Sequence, residues 1–515
     1  MALALLLPSL PLLSSAEASN VEDSLVVGIQ SNKTSVIRPL EPQERDMMSI
    51  YNLIYETLIV IDDNYLPSPG IAESWDMSND GRTWTFHLRN GVTFSNGARL
   101  TAQDVVATAQ AILDRANSEN NSDPGYYANL KYFVDRIKAV NDNTVEVRTP
   151  KARSYWGLLY AMTFPVLPAG YINADNPPGS GAYCIDQFAP MVNMSLIPNP
   201  YWWQNPPQVK KIMIQMSNTQ QSVIEDYEYA RVDTIFTRAV AAAQYKSGTT
   251  SLALDYRTNQ LETLVMNQSS WKLNSLAIRR AIRFAIDVDR IAANAYMGMV
   301  LRTDTPMISG TWMYNDTLSN YFRTDLEEAR RLLEEEGWND IDDDGILEKA
   351  RDGETVELVL RLDYYEEPDN SVRVEVANYI VDALGQIGIK VNVNARSLAD
   401  TADRLSNGNF ELALVSYAMD VCPDPGFLLM KGNTGNYGRY RSDRMDTLCK
   451  ELRKATSQQA YQQILFDIQA QFAEDCPFIC LFYRSGAVLT RRMYTTVRDV
   501  RELQLLKGIE SFKNR

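Results

Sequence analysis

One histidine, one acidic loop and five cysteines limit the chemistry open to this chain. His87 is the single histidine, which excludes a site built on two or more imidazoles, such as a His-rich zinc or nickel cage. A Ser-His-Asp triad would hang on that one residue, which sits in an alternating stretch and reads as structural. Asp340-x-Asp342-x-Asp344-Gly345 opens like an EF-hand calcium loop, but the twelfth position is Arg351 rather than a bidentate glutamate. Glu348 at the ninth position partly compensates, so a solvated acidic turn competes with structural calcium, and no metal site is assigned. The cysteines are Cys184, Cys422, Cys449, Cys476 and Cys480, an odd number whose pairing the spacing does not specify. On one strand face Cys476 and Cys480 would stand about 13 Å apart, too far to bridge. There is no G-x-S-x-G, H-E-x-x-H, P-loop or G-x-G-x-x-G. With 65 acidic residues, chance carboxylate pairs carry no specificity for glycoside hydrolysis. These residues point away from an enzyme and from a resident cofactor.

The elements that position these residues belong to a large acidic protein. The 515 residues suggest about three domains. A net charge of −15 argues against a nucleic-acid partner. Residues 1–18 read as a signal peptide: an apolar run from Leu3 to Leu13 precedes the small-x-small triplet Ala16-Glu17-Ala18. The run is too short to span a bilayer, and it lacks the usual basic residue before it. Export to a periplasm, or to the outer face of the cytoplasmic membrane, is the expectation.

Beyond the leader, SLVVGIQ (Ser24 to Gln30) reads as a buried strand. Thr83 to Leu88 alternates, with Trp84, Phe86 and Leu88 on one face. Asn90-Gly91 and Asn96-Gly97 mark turns, and Thr101 with Asp104 opens a helix. Breakers from Pro165 to Pro178 mark a domain junction, and a second lies near Gln268 to Asn274. Ser275 to Ala295 predicts one amphipathic helix with Arg279, Arg280 and Arg283 on a solvated face. Thr324 and Glu327 have capping-box spacing for a helix that stops at Gly337. From Val356 to Val393 the pattern is strand–helix–strand, a parallel pair with a crossover.

Five blocks, in order, then resemble one family. They are PGIAESW from Pro69; WTFHLRNGVTFSNGARLTAQDV from Trp84; GSGAYCIDQF from Gly179 with NPYWWQNPP from Asn199; RRAIRFAIDVDRI from Arg279; and DLEEARRLLEEEGW from Asp325. Together they are similar to the peptide/nickel class of ABC-importer solute-binding proteins, bacterial extracellular solute-binding family 5. The resemblance implies an α/β fold: a two-lobed periplasmic-binding-protein clamshell (type II, cluster C-like) with an extra third domain. It implies lobe I from 24–50, 165–270 and 484–515, lobe II from 51–164, and lobe III from 271–483. It further implies a monomer that holds a short peptide between lobes and delivers it to the transmembrane subunits of an ABC permease. Chelated nickel and an oligosaccharide are the alternative ligands.

The same resemblance implies the ligand contacts. Peptide-binding members carry an Asp three residues after an aromatic, its carboxylate pairing with the peptide's α-ammonium; Tyr417 and Asp420 have that spacing. A buried ammonium needs such a partner. The acid-Pro pair that follows is displaced by one residue, to Asp424-Pro425, so a plain turn role for Asp420 is the competing reading. The loop after the first strand, with Asn32, Lys33 and Thr34, is implied to offer backbone groups to an extended peptide. Trp312 and Tyr437 are further candidates for the cleft wall, against a plain core role. Some members carry an arginine for the peptide carboxylate where this chain has Leu414.

Overall fold

A computed structural model of the chain describes residues 24–41, 44–118, 125–151, 156–247, 252–367, 371–491 and 500–509. The expected leader, 1–18, lies outside them. Among the described residues one sheet of 11 strands dominates. Its first strand, Ser24–Gln30, pairs in parallel with Lys211–Ser217 and with Thr234–Thr237, while Asn193–Pro198 and Tyr183–Ala189 extend that edge antiparallel. Val27 and Ile29 are wholly buried, as an apolar run covered on both faces requires. At the far edge Val359–Tyr365 and Lys390–Arg396 pair in parallel with the helix Val372–Gly385 between them, the predicted unit. Leu412–Ala418 lies beside that pair.

Two long antiparallel strands join these halves. Leu252–Met266 and Phe478–Thr490 run side by side through both. Their outer halves border Thr234–Thr237, and their inner halves border Leu412–Ala418. Pairing slips between Arg257 and Leu261, leaving a bulge at Thr258, Asn259 and Gln260. A buried ion network lies on each side of it. On one side Arg373 and Arg484 meet Glu262 and Glu367. On the other Asp46 and Glu502 meet Arg238 and Arg45.

A separate four-stranded antiparallel sheet holds Ala72–Met77, Thr83–Leu88, Thr144–Arg148 and Arg136–Asn141. Trp84, Phe86 and Leu88 point inward as the alternation predicts, against the helix Ala102–Asn117. The Asp104 carboxylate accepts the Thr101 amide at 2.8 Å, closing that helix's first turn. This layer meets the large sheet's outer layer through aromatic rings: Trp156 stands edge-on to Trp312 at 5.5 Å and packs on Tyr461.

Three local expectations need correction. The helix predicted over Ser275 to Ala295 is two, Leu276–Ala285 and Val288–Asn294, because Asp287 caps the second through the Arg290 amide. Its arginines are not all solvated: Arg279 and Arg283 are buried. Arg279 donates to four backbone carbonyls, of Leu273, Asn274, Asp475 and Cys476, and thereby holds two segments together. The next helix, Leu326–Glu335, is capped by Asp325 rather than Thr324, with the Glu328 amide donating at 3.0 Å. All five cysteines are free thiols, Cys184 half-buried and the rest buried.

The GSGAY block shows why glycine stands at 179. A Cβ on Gly179 would lie 1.9 Å from the Ile54 carbonyl oxygen, backbone that ends the helix Arg45–Ile54. Gly179→Ala is therefore expected to destabilise the fold by about 1–3 kcal/mol, an overpacking cost. Urea unfolding of the two proteins measures it, and equal midpoints would contradict the close approach.

Candidate functional site

The end of the helix Arg45–Ile54, the segment 55–65, the loop 419–424 and the segment 501–508 enclose a cavity of about 580 Å³. That volume suits a small ligand. Met48, Met307, Met313 and Met419 line it with Tyr126, Tyr127 and Tyr483. Thioether side chains are unbranched and polarizable, so this wall can adapt its shape.

Asp420 is the sequence-predicted residue that reaches this cavity. The strand Leu412–Ala418 carries the chain to the bulge, where the Met419 amide donates to the Asn259 carbonyl at 2.8 Å. The chain then turns. The Asp420 carboxylate accepts the Cys422 amide at 3.0 Å and the Asn129 side-chain amide. The displaced acid-Pro pair is used differently: Asp424 pairs with Arg453 at 2.6 Å and accepts the Gly426 amide. None of the ion pairs found among the described residues engages Asp420. Asp420 is exposed where it opens onto the cavity, and the protein mass around that cavity still pushes its pKa up by partial desolvation. A cation arriving there would relieve the penalty.

The other predicted residues lie outside the cavity wall. Tyr417 is buried, donates to the Gly435 carbonyl at 2.9 Å, and stacks on Tyr437 at 5.9 Å. Trp312 donates to the Tyr65 carbonyl at 3.2 Å within the aromatic contact described above. The loop of Asn32, Lys33 and Thr34 folds around its own carboxylate. Glu44 accepts the Asn32 amide at 3.1 Å, the Lys33 amide at 3.2 Å and the Thr34 hydroxyl at 3.1 Å. Burial opposes the Glu44 charge, but these bonds and that from Ser31 hold its carboxyl below the usual range. The loop's amides are thus spent on Glu44.

Two groups of cavity residues have no local signal. Glu56 follows the first helix and accepts the Trp203 indole N–H at 2.9 Å, with Arg89 over the Trp203 ring. Burial pushes its carboxyl up to about 7. Arg501, Glu502 and Lys507 come from the C-terminal segment, which sequence reading treats only as a piece of lobe I. Away from the cavity, Asp340, Asp342, Asp344 and Glu348 bring carboxylate oxygens within 4.8 Å of one another. Asp340 accepts the Asp344 and Gly345 amides, and Glu348 accepts the Ile341 amide. His87 sits half-exposed on the outer face of its strand, against Asp76 at 2.9 Å.

The model for bacterial extracellular solute-binding proteins, family 5, middle region, matches residues 67–439. The chain belongs to this family. Family 5 relatives include Heme-binding protein A of Haemophilus influenzae, 22% identical over 81% of this chain and 79% of the relative. The periplasmic oligopeptide-binding protein OppA of Salmonella typhimurium is 22% identical over 89% and 88%. NikZ of Campylobacter jejuni, solved with Ni(L-His), superposes with a TM-score of 0.73 at 18% identity, covering 96% of this chain and 99% of NikZ. The fold is the family's two-lobed clamshell, and the chain is a solute-binding protein. No helix among the described residues is long and apolar enough to cross a membrane.

Glu56 makes stability depend on pH. Its folded pKa of about 7 exceeds the ordinary 4.5, so between those values the native state holds the proton more tightly. Stability must then fall as pH rises from about 4.5 to about 7, by at most about 3 kcal/mol from this group. Glu56→Gln keeps an acceptor for Trp203 and is expected to flatten that fall. Urea midpoints at pH 5 and pH 7.5 check it; the same slope in both proteins would contradict the assignment.

Proposed function

We propose that this chain is the receptor component of an ABC importer, that it captures short peptides in the cleft, and that Asp420 takes the ligand's α-ammonium. The observation that carries this reading is a carboxylate facing the cavity with hydrogen-bond donors around it and no ion-pair partner among the described residues. A carboxylate walled by a cleft is less well solvated than one in open water, and an ammonium with its N–H donors offsets that loss with charge-assisted hydrogen bonds. Tyr126 lines the same cavity as Asp420, so an aromatic is available on the ligand's path. The methionine lining suits side chains of different shape. The oligopeptide-binding relative points the same way.

In this reading lobe I comprises 24–50, 165–270 and 484–515, lobe II 51–164 and lobe III 271–483. The protein is an exported monomer, in a periplasm or at the outer face of the cytoplasmic membrane. It presents its closed lobes to the permease. Tyr417 and Tyr437 act from behind the cavity wall, as the stacked pair at the end of the strand that delivers Asp420.

Calorimetry with free-amine peptides and their N-acetylated forms tests the assignment. Asp420→Asn is expected to cost at least tenfold in affinity for the free amines, equivalent to about 1.4 kcal/mol. Acetylated peptides should bind weakly and equally to both proteins. Unchanged free-amine affinity in the variant removes the ammonium role. A single uniform heme or metal adduct in native mass spectrometry would remove the peptide reading.

A further inference from the structure

One part of the cavity wall is the chain's own C-terminal segment, 500–509. It enters beside the bulge in the long strand. Arg501 bridges Arg257 in parallel, and the Glu502 amide donates to the Arg257 carbonyl at 2.8 Å. The Glu502 carboxylate then accepts the Asn259 amide at 2.9 Å. The first of these is a main-chain bond of the kind an extended ligand makes when it adds itself to a strand edge, and the second is a side-chain carboxylate capping the next amide. Here the chain fills that edge itself.

The segment is firmly held. Leu505, Leu506 and Ile509 are buried in the core beneath the first helix. Glu502 is locked to Arg45 at 2.7 Å, and Asn52 donates to the Leu503 carbonyl. The side chains that project forward reach the opposite layer. Arg501 donates to the Asp62 carbonyl, its guanidinium 4.3 Å from the centre of the Tyr65 ring, and Lys507 pairs with Asp63. The segment therefore runs along the cavity wall from the bulge to the turn 62–65 between the paired strands Ile59–Ile61 and Pro67–Pro69.

Its distance from the ammonium site is set by one residue. Asn259 donates its amide to Glu502 and accepts the Met419 amide through its carbonyl. The segment and the loop bearing Asp420 thus hang from the same point of the bulge.

We propose that the segment 500–509 sets ligand length, by occupying the end of the cleft along which a longer extended peptide would run. This rests on the peptide reading above. A ligand held at Asp420 meets Arg501 and Gln504 after a few residues, so di- to tetrapeptides fit and longer chains must displace the segment.

The test measures affinities for a ladder of free-amine peptides from two to eight residues. One variant carries Arg501→Ser, Gln504→Ala and Lys507→Ala, which shorten the projecting side chains and keep Leu505, Leu506 and Ile509. A second ends the chain before Val500. In the wild type affinity should drop beyond tetrapeptides. In both variants the octapeptide-to-tripeptide affinity ratio should rise at least tenfold. If the truncated chain does not fold, as judged by its unfolding transition, the triple variant decides alone. An unchanged ratio overturns the length-setting role while leaving the peptide reading intact. Failure of the wild type to bind any member of the ladder overturns both.

Discussion

Two antiparallel strands, 252–266 and 478–490, run through both halves of the large sheet, and their ladder loses register at Arg257 to Leu261. A bulge leaves backbone groups without ladder partners, and buried backbone groups must be paired. Three outside groups supply the pairs: the Glu502 amide on the Arg257 carbonyl, the Glu502 carboxylate on the Asn259 amide, and the Met419 amide on the Asn259 carbonyl. Thr258 closes the remainder by donating to the Arg484 carbonyl at 2.7 Å. The loop that carries Asp420 and the segment that closes the cavity are both attached here. Satisfying one irregularity in a sheet thereby builds two walls of the cavity.

Charge is distributed around the same point in two ways. Beside the bulge the acids are matched: Glu262 and Glu367 share Arg373 and Arg484, and Asp46 and Glu502 share Arg238 and Arg45. Removing one partner from such a buried set leaves a bare charge, which costs about 3–5 kcal/mol. These networks therefore resist change around the bulge. In the cavity Asp63, Asp424 and Glu502 are matched as well, whereas Glu56 and Asp420 are in none of the ion pairs of the described residues. Both are disfavoured as anions by desolvation, and hydrogen bonds from Trp203, Cys422 and Asn129 compensate in part.

Much of the fold was legible in local patterns. The run at 24–30 is buried on both faces, the alternation at 83–88 faces one core, and the strand–helix–strand from 359 to 396 is parallel, because period and burial are local properties. The failures are local too, and have physical causes. Arg279 looks solvated by helical spacing, yet four carbonyls from two segments satisfy its donors in the core. The loop 31–34 looks open to ligand, yet Glu44, only ten or so residues on, takes its amides.

Five ordered blocks identify the family from sequence, and the spacing from Tyr417 singles out Asp420 ahead of a Pro-rich turn. The sequence also excluded a multi-histidine metal cage, since His87 stands alone. Tertiary structure alone decided which residues share the cavity. Asp420 meets Asn129, Glu56 meets Trp203, and Glu502 meets Asn259, pairs separated by 291, 147 and 243 residues. Periodicity reports which face of an element is buried, and no periodicity spans such distances. Only the closure of the long strands, with the bulge between them, brings those side chains to one place.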